Sequence, residues 1–202
     1  MSNTVYTVGY SGFSFDEFCK LLKKNEIQLI IDVRSVPFSK RYSEYNRDVL
    51  KKSLAQQRIY YRNYAHEFGA RQENRQFYTK DGYLDFELFS KSEAFQEGIE
   101  KLCKSMQQNY TFALMCAEKN PMDCHRAIMV SRTFFEMGYK VVHLLPHNKI
   151  ITQNDLNQML LDKYYPNRGQ LSFLDSQNDE EALLKQAYRY RNKEIGYRME
   201  DN

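Results

Sequence analysis

Residues 110–126 read YTFALMCAEKNPMDCHR, a short apolar run followed by a polar loop that is rich in reactive side chains. The run at 111–115 is apolar and β-rich and predicts a buried strand, whereas residues 127–137 carry the apolar spacing of a helix. A strand that leads through a loop into a helix places the loop at the carboxyl end of a sheet, where open α/β folds bind ligands. Cys116 and Arg126 are therefore the first candidates for functional residues.

The segments around this loop predict an α/β fold with a mostly parallel, open sheet. Upstream, a strand at 5–8, a helix that begins at the capping box of Ser14 and Glu17, and a continuously apolar strand at 27–33 form a βαβ unit. The other predicted strands are 59–62 and 141–144, and the other predicted helices are 46–57, 92–107, 153–162 and 181–191. Helices should cover both faces of the sheet, with the site at the carboxyl ends of the strands.

Length and composition favour one domain. The 202 residues are 42% hydrophobic, enough to bury one sizeable core, and no linker rich in Pro, Gly or Ser divides them. We expect a single α/β domain at residues 1–165 and a C-terminal appendage at residues 166–202. The chain shows neither the pattern of a signal peptide nor the roughly 20 apolar residues of a membrane span. A cytoplasmic location with reduced cysteines is therefore expected.

Further polar residues are predicted to lie at the same edge of the sheet. Tyr10 and Ser11 lie in the turn after the first strand, and Asp32 and Arg34 lie at the carboxyl end of the second. Because parallel strands end at one edge, Ser11, Arg34 and Cys116 should line one pocket. Asp32 and Arg34 can instead pair with each other, a structural alternative that the residues leave open.

In a thiol interpretation of the loop, Cys116 ionises because Arg126, His125 and the amides of the following helix favour negative charge. The thiolate would be a nucleophile or sulfur carrier, and Glu118 or His125 would move protons. Arg34 and Arg126 would hold an anionic or phosphate-bearing substrate. The order of strand, cysteine loop and arginine-bearing helix is similar to that of cysteine phosphatases and rhodanese-type sulfurtransferases, although the loop is longer than in the phosphatases.

The same loop also offers metal ligands, because Cys116, Cys124 and His125 can bind zinc or iron through sulfur and nitrogen. Their spacing is poor support, since structural zinc sites favour cysteine pairs about two to four residues apart. Neighbouring Cys124 and His125 are also expected to project in different directions. No cofactor is predicted apart from this alternative.

A purely structural interpretation of the loop also stays open. Asp123 would cap the following helix, and Cys124 would pack in the core. Arg126 would pair with a carboxylate such as that of Asp32 or Glu118. The loop would then shape the end of the sheet without carrying out any chemistry.

Residues 34–75 differ in composition from the rest of the chain. Ten lysines or arginines face four acidic residues, and aromatic residues alternate with the cations. Cations can hold phosphates while rings stack on bases, which is how proteins bind single-stranded nucleic acids. The alternative is a solvated helix at 46–57 beside half-buried tyrosines. The rings available for stacking would be those of Tyr42, Tyr45, Tyr60, Tyr61 and Tyr64.

Near the C terminus, Gln170-Leu171-Ser172-Phe173-Leu174 resembles the short motif with which bacterial replication and repair proteins dock on the sliding clamp. The alternative is that its apolar residues pack back on the domain. Together with the basic segment, the motif favours a role in nucleic-acid metabolism. The expected partners are a single-stranded nucleic acid or nucleotide, and the sliding clamp.

These motifs together resemble the domain of unknown function 488 family. The resemblance covers residues 5–165 and the tail at 188–197. It rests on Val-Gly-Tyr-Ser, Ile-Asp-Val-Arg-Ser-Val-Pro, Tyr60 with Glu-Phe-Gly-Ala-Arg, and above all Cys116-Ala117-Glu118 with Pro121 and Cys124-His125-Arg126. It implies an α/β domain with a pocket at these motifs but does not assign an activity to that pocket. Family members often have His in place of Tyr10 and a second Gly in place of Ala70, so a role for an imidazole at position 10 does not carry over.

We therefore expect an intracellular protein with an anion-accepting pocket, and a cysteine-dependent hydrolase or transferase is the enzyme class that fits it. A noncatalytic nucleic-acid-binding module and a zinc or iron protein are the alternatives. The candidate residues are Cys116, Glu118 and His125 for catalysis and Tyr10, Ser11, Asp32, Arg34 and Arg126 for anion binding.

Overall fold

A computed structural model describes residues 4–168 and 178–199. Its strands are β1 (Thr4–Gly9), β2 (Leu29–Asp32), β3 (Tyr60–Asn63), β4 (Phe112–Cys116), β5 (Lys140–Leu144) and β6 (Ile150–Thr152). Within the described residues they form one sheet in the order β3-β2-β4-β1-β5-β6. Neighbouring strands run parallel except for β5 and β6. The predicted α/β class with a mostly parallel sheet is confirmed.

Helices cover both faces of this sheet. One face carries α1 (Phe15–Lys24) and α2 (Arg47–Gln56), whose apolar residues pack in the smaller of two cores. The larger core lies on the other face, under α3 (Ala65–Phe68), α4 (Phe86–Phe89), α5 (Glu93–Gln107), α6 (Arg132–Glu136), α7 (Gln153–Tyr164) and α8 (Asn178–Ile195). Local signals begin several of these helices as predicted, since Ser14 and Ser92 cap the first turns of α1 and α5.

The central strand β4 is buried on both faces, as its continuous apolar run predicts. Its residues alternate between the two cores: Leu114 and Cys116 pack in the larger core, and Ala113 and Met115 pack in the smaller one. Cys124 also packs in the larger core. The alternation along β4 thus places the Cys116 side chain on the face that receives the following loop.

The predicted helix at 127–137 has a different form. Arg126–Ser131 is a π-helical turn, and α6 follows it. All six residues of the turn are buried, so packing against the sheet and α8 decides the winding. Apolar spacing over so short a run cannot distinguish a π turn from an α-helix. The short strand β6, which pairs antiparallel with β5, was not predicted either.

The C-terminal part of the chain contributes to the larger core through Ala187 and Tyr188 of α8. The segment Gln170–Leu174, predicted to dock on the sliding clamp, lies outside the described residues. The division of the chain at residue 165 stays a prediction. In the ranges 4–168 and 178–199, no helix combines the length and the apolar composition that crossing a membrane requires.

Candidate functional site

The carboxyl ends of β1, β2 and β4 meet at one edge of the sheet. Tyr10 N donates to Cys116 O at 3.0 Å, and Val33 N donates to Met115 O at 3.0 Å. The parallel pairing therefore continues just past the strands. It brings the turn after β1, the end of β2 and Cys116 side by side, at the edge where open α/β sheets bind ligands.

A buried cluster of Cys116, Cys124 and His125 lies at this edge. The sulfur and nitrogen atoms that these residues offer all lie within 4.8 Å of one another. Cys116 Sγ is 4.0 Å from His125 Nδ1, and both cysteines are free thiols. The three residues form a group that can hold a metal ion.

The expectation that neighbouring Cys124 and His125 project in different directions is wrong. The backbone is extended at Cys124, with φ −137° and ψ 132°, and helical at His125, with φ −58° and ψ −26°. Successive side chains alternate only along a uniform strand. The change of conformation between the two residues therefore lets both side chains reach Cys116.

His125 is oriented by the backbone that follows β2. Its Nε2 lies 2.9 Å from Val33 O, and because a carbonyl only accepts, Nε2 carries the proton in this contact. Nδ1 then faces Cys116, with its lone pair free when the ring is neutral. A histidine that donates its second ring N–H to a backbone carbonyl is the usual arrangement around protein-bound metals.

Glu118 extends the cluster toward solvent. The residue is exposed, but its Oε2 lies 3.0 Å from Cys124 Sγ, which requires a proton on one of the two atoms. Withdrawal of the carboxyl from water and the adjacent Cys124 raise the pKa of Glu118. A metal ion at the cluster can take the place of this proton.

The two thiols differ in their tendency to ionise. Burial and the hydrogen bond to Cys124 raise the pKa of Cys116 well above its ordinary value. Burial also opposes ionisation of Cys124, but the hydrogen bond from Cys116 and the charges of Arg126 and His125 hold its pKa well below the ordinary value. Burial by itself lowers the pKa of His125. Its contacts with Cys124 outweigh this effect, so the pKa of His125 is raised overall. Cys124 is therefore the thiol that ionises first.

Arg126 is fully buried and holds the loop. Its Nη1 donates to Glu118 O at 2.6 Å, and its Nη2 donates to Lys119 O at 3.5 Å. Its Nε donates to Thr7 Oγ1 at 3.4 Å. These acceptors are two carbonyls and a hydroxyl, so the predicted pairing of Arg126 with the carboxylate of Asp32 or Glu118 is wrong.

Gly9, the last residue of β1, allows this part of the loop to approach the sheet. A Cβ atom at position 9 would lie 1.7 Å from Glu118 O and 3.1 Å from Arg126 Nη1. Any larger residue would displace the carbonyl that Arg126 holds. Close packing against the loop thus explains why the Val-Gly-Tyr-Ser pattern has a glycine at position 9.

Asp32 and Arg34 form a buried ion pair at the end of β2. Arg34 Nε and Nη2 donate to the two carboxylate oxygens of Asp32 at 2.8 and 2.6 Å, and Tyr61 Oη donates to Asp32 at 2.7 Å. The structural alternative, in which Asp32 and Arg34 pair, is confirmed. Among the residues that the structure describes, buried Arg34 Nη1 has no hydrogen-bond partner. One guanidinium nitrogen at this edge is thus unsatisfied.

Tyr10 and Ser11 line the turn after β1. The Tyr10 ring stacks on Tyr45, with centroids 4.3 Å apart, and the Arg34 guanidinium lies 5.1 Å from the Tyr10 ring centroid. Ser11 N donates to Ala117 O at 3.0 Å. The backbone of Ser11 therefore ties the turn to the loop after β4, while Tyr10 separates Arg34 from solvent.

Contacts from distant elements complete the site. Arg191 of α8 donates from Nε to Met122 O at 2.8 Å and pairs with Asp123. Asp123 is therefore engaged with α8, and the prediction that it caps the following helix is wrong. No local pattern identifies Arg191 or Thr7, because the first lies 69 residues from Met122 and the second 119 residues from Arg126.

The basic segment at residues 34–75 has many exposed cations but few accessible rings. Tyr45 and Tyr61 are buried, and Tyr64 is half-buried. The exposed rings are those of Phe38, which is 62% exposed, and Tyr60, which is 58% exposed. The exposed cations that pair with no carboxylate among the described residues are Lys40, Arg41, Lys51, Lys52, Arg58, Arg62, Arg71 and Arg75.

Comparison with known proteins places the cluster inside a matched family segment. The family model described as Domain of unknown function DUF488 matches residues 14–133, more than half of the chain. This segment contains Cys116, Cys124 and His125, whereas α7 and α8 follow it. A search of curated proteins and a search of solved structures find no match.

Proposed function

Because the chain belongs to the family described as Domain of unknown function DUF488, whose description assigns no activity, we propose a function from the site: the protein binds zinc or iron through Cys116, Cys124 and His125. The observation that carries this proposal is the orientation of His125. Its Nε2–H donates to Val33 O, so Nδ1 converges with two sulfur atoms. Sulfur and imidazole donors favour these metals over calcium or magnesium.

The separation of Cys116 Sγ and His125 Nδ1 is close to that of two ligands of a tetrahedral ion. With zinc–sulfur bonds of about 2.3 Å and zinc–nitrogen bonds of about 2.0 Å, the two donor atoms lie roughly 3.6 Å apart. The distance from Cys116 Sγ to His125 Nδ1 is 4.0 Å, too long for a strong hydrogen bond. A small movement of either side chain brings both atoms within bonding distance of an ion.

Glu118 lies on the side of the cluster that faces solvent. Its carboxylate contacts Cys124 while the residue itself is exposed. Cys116, Cys124 and His125 would hold the ion, and a position left open on the side of Glu118 would admit water or substrate, as in catalytic zinc sites. Glu118 would accept or return a proton beside the cluster, a role for which its raised pKa is suited.

The polar surroundings support an anionic substrate. Arg34 Nη1 has no partner within the described part of the chain, and an oxyanion that displaces the buried Tyr10 side chain would satisfy it. Asp32 orients Arg34, and Ser11 borders the same turn. Arg126 adds buried positive charge while its donors hold the loop. We propose that anion binding is the shared role of Tyr10, Ser11, Asp32, Arg34 and Arg126.

Metal analysis of purified protein tests the proposal. We expect about one zinc or iron ion per chain in the wild type, with the ion lost in Cys124→Ser. Cys103→Ser is the matched control, because this half-buried thiol packs against Tyr139 away from the cluster. A wild-type protein that neither contains nor takes up zinc or iron would contradict the proposal. Rapid alkylation of Cys124 in such a metal-free protein would instead support thiol chemistry.

A second candidate function is the binding of single-stranded nucleic acid. The observation that favours it is the row of exposed cations on and after α2, including Lys51, Lys52 and Arg58, which pair with no carboxylate among residues 4–168 and 178–199. Phe38 and Tyr60 add exposed rings near this row. Binding of a labelled oligonucleotide at low salt tests this function, and docking on the sliding clamp through Gln170–Leu174 stays a prediction.

A further inference from the structure

The C-terminal helix α8 holds the loop that carries Cys124. Arg191 is 8% exposed. Its Nε donates to Met122 O at 2.8 Å, and its two terminal nitrogens pair with Asp123 and Glu194. Met122 and Asp123 directly precede Cys124 in the chain. One buried guanidinium therefore fixes the backbone immediately before a candidate metal ligand.

The turn at Pro121–Asp123 is closed by hydrogen bonds between neighbouring residues, including Asp123 N donating to Asn120 O at 3.1 Å. It is a single 3-10 turn, closed by Cys124 N donating to Pro121 O at 3.2 Å. Exposed Asn120 adds two side-chain hydrogen bonds, one from Met122 N and one to Asp123. Ligand atoms must hold their distances to within roughly 0.2 Å around a metal. The position of Cys124 Sγ thus depends on these bonds and also on the contacts that Arg191 makes with the turn from α8.

Helix α8 also reaches the other end of the loop, through a chain of buried hydrogen bonds. Tyr188 Oη accepts from Gln153 Nε2 at 2.8 Å, and Gln153 Oε1 lies 3.1 Å from His143 Nε2. His143 Nδ1 lies 2.8 Å from Thr7 Oγ1, which accepts from Arg126 Nε. Arg126 in turn holds the Glu118 carbonyl. Two residues of one helix therefore connect to both ends of the segment between β4 and the π-helical turn.

We infer that Arg191 is a positioning residue of the metal site and that α8 is a structural part of that site; the inference rests on the proposed function. Loss of the guanidinium frees Met122 O and leaves Asp123 with Asn120 but without its ion-pair partner, so the turn moves. Cys124 and His125 then hold an ion less tightly. Groups that hydrogen-bond directly to metal ligands contribute about 10-fold to 100-fold in affinity, and we expect an effect in this range for Arg191, which holds the backbone next to Cys124.

Arg191→Met tests the inference, because methionine retains much of the length of the side chain but has neither charge nor donors. The matched control is Arg189→Met, which removes a guanidinium that is 51% exposed on the same helix and pairs with Glu87. Cobalt(II) titration reports the thiolate-to-metal and d–d absorption bands, and competition with a chelator gives the zinc dissociation constant. Circular dichroism and urea unfolding of the metal-free proteins establish that each variant is folded.

We expect Arg191→Met to weaken zinc binding by about 10-fold to 100-fold and to alter the cobalt spectrum. Arg189→Met should stay within about twofold of the wild type, as surface substitutions do. Arg191→Lys, which keeps the charge, should recover part of the affinity, and it replaces the methionine variant if that variant does not fold. Wild-type affinity and an unchanged spectrum in Arg191→Met would overturn the inference and leave the proposed function in place.

If the wild type binds neither ion, the proposed function fails and thiol accessibility decides the inference. Iodoacetamide should then alkylate Cys124 several-fold faster in Arg191→Met than in Arg189→Met, because the turn in front of Cys124 is released. Equal alkylation rates in the two variants would overturn the inference. The two failures therefore leave different experimental signatures.

Discussion

Thr7 Oγ1 lies 2.8 Å from His143 Nδ1, and this buried contact fixes the protonation of the imidazole. Because Arg126 Nε donates to Thr7 Oγ1, the hydroxyl hydrogen is free to point at Nδ1. On the other side of the ring, Nε2 lies 3.1 Å from Gln153 Oε1, which also accepts from Ser131 Oγ. His143 is therefore neutral, with its proton on Nε2.

The buried His143 predicts a loss of stability in mild acid. Burial and the charge of Arg126 lower the pKa of His143 to about 3, against about 6.5 in an unfolded chain. Between these values the unfolded state binds the extra proton, so the free energy of unfolding falls as the pH falls. Between pH 7.5 and pH 5 this single residue should remove about 2 kcal/mol.

Urea unfolding at the two pH values measures this loss, with His143→Asn as the comparison. The asparagine variant has no titrating group at position 143, so its loss should be about 2 kcal/mol smaller over the same interval. Identical losses in the two proteins would assign the acid sensitivity to a different group.

Gly9→Ala should destabilise the protein by about 3 kcal/mol, because its Cβ would collide with Glu118 O. Gly82→Ala is the control: that glycine has a left-handed backbone, with φ +79°, but open space around it, so it should cost about 1–2 kcal/mol. Urea unfolding of both variants gives the comparison. A smaller cost at position 9 than at position 82 would mean that the loop carbonyl moves aside without penalty.

Metal removal should lower stability only where the cluster is intact. An ion at 100 times its dissociation constant stabilises the folded state by about 2.7 kcal/mol. Thermal unfolding of the wild type and of Cys103→Ser should therefore shift to lower temperature when a chelator is added and return with zinc. Cys116→Ser should show no such shift, and its metal-free stability should differ from that of the wild type by about 1–2 kcal/mol. A shift that persists in Cys116→Ser would place the ion elsewhere.

Nucleic-acid binding, if carried by the exposed cations, should weaken steeply with salt because bound phosphates release counterions. Fluorescence anisotropy with a labelled single-stranded oligonucleotide measures the affinity, and a duplex of the same sequence should bind less well. Lys51→Glu combined with Arg41→Glu should abolish binding. Phe38→Ala and Tyr60→Ala should each cost about 1–3 kcal/mol if the rings stack on bases.

Tyr190→Ala provides the control for the ring substitutions, since Tyr190 is an exposed ring on α8. It should leave the affinity unchanged. Tyr45 and Tyr61 are unsuitable for this test, because their rings are buried and their loss would damage the core. No measurable association of the wild type with the oligonucleotide at low salt would remove this candidate function.

Local sequence patterns account for most of the fold. The apolar run of β4 and the caps at Ser14 and Ser92 each act over a few residues, and β4, α1 and α5 lie where these signals place them. The order of strand, loop and helix also locates Cys116 at the carboxyl edge of the sheet. These features are predictable because each depends on neighbours in the chain.

The details of the site depend on residues that are far apart in the chain. The lone pair of His125 Nδ1 faces Cys116 because Val33 O, 92 residues away, takes the other ring N–H. Which of the two thiols ionises first depends on buried charges around Cys124. Neither fact is visible in a local sequence pattern. The residue types that can bind a metal could therefore be predicted from the sequence, but the geometry of the site could not.

The π-helical turn at Arg126–Ser131 sets the rotational phase between two arginines of one continuous helical segment. Arg126 points into the loop after β4, whereas Arg132 lies over the Tyr188 ring of α8, 4.1 Å from its centroid. An α-helix advances about 100° per residue. If the same residues wound as an α-helix, Arg132 would turn by about that angle relative to Arg126, because a π turn closes on i→i+5 and holds one residue more than an α turn. The α-helical form could engage the loop or α8 but not both, so both contacts depend on the π winding of this turn.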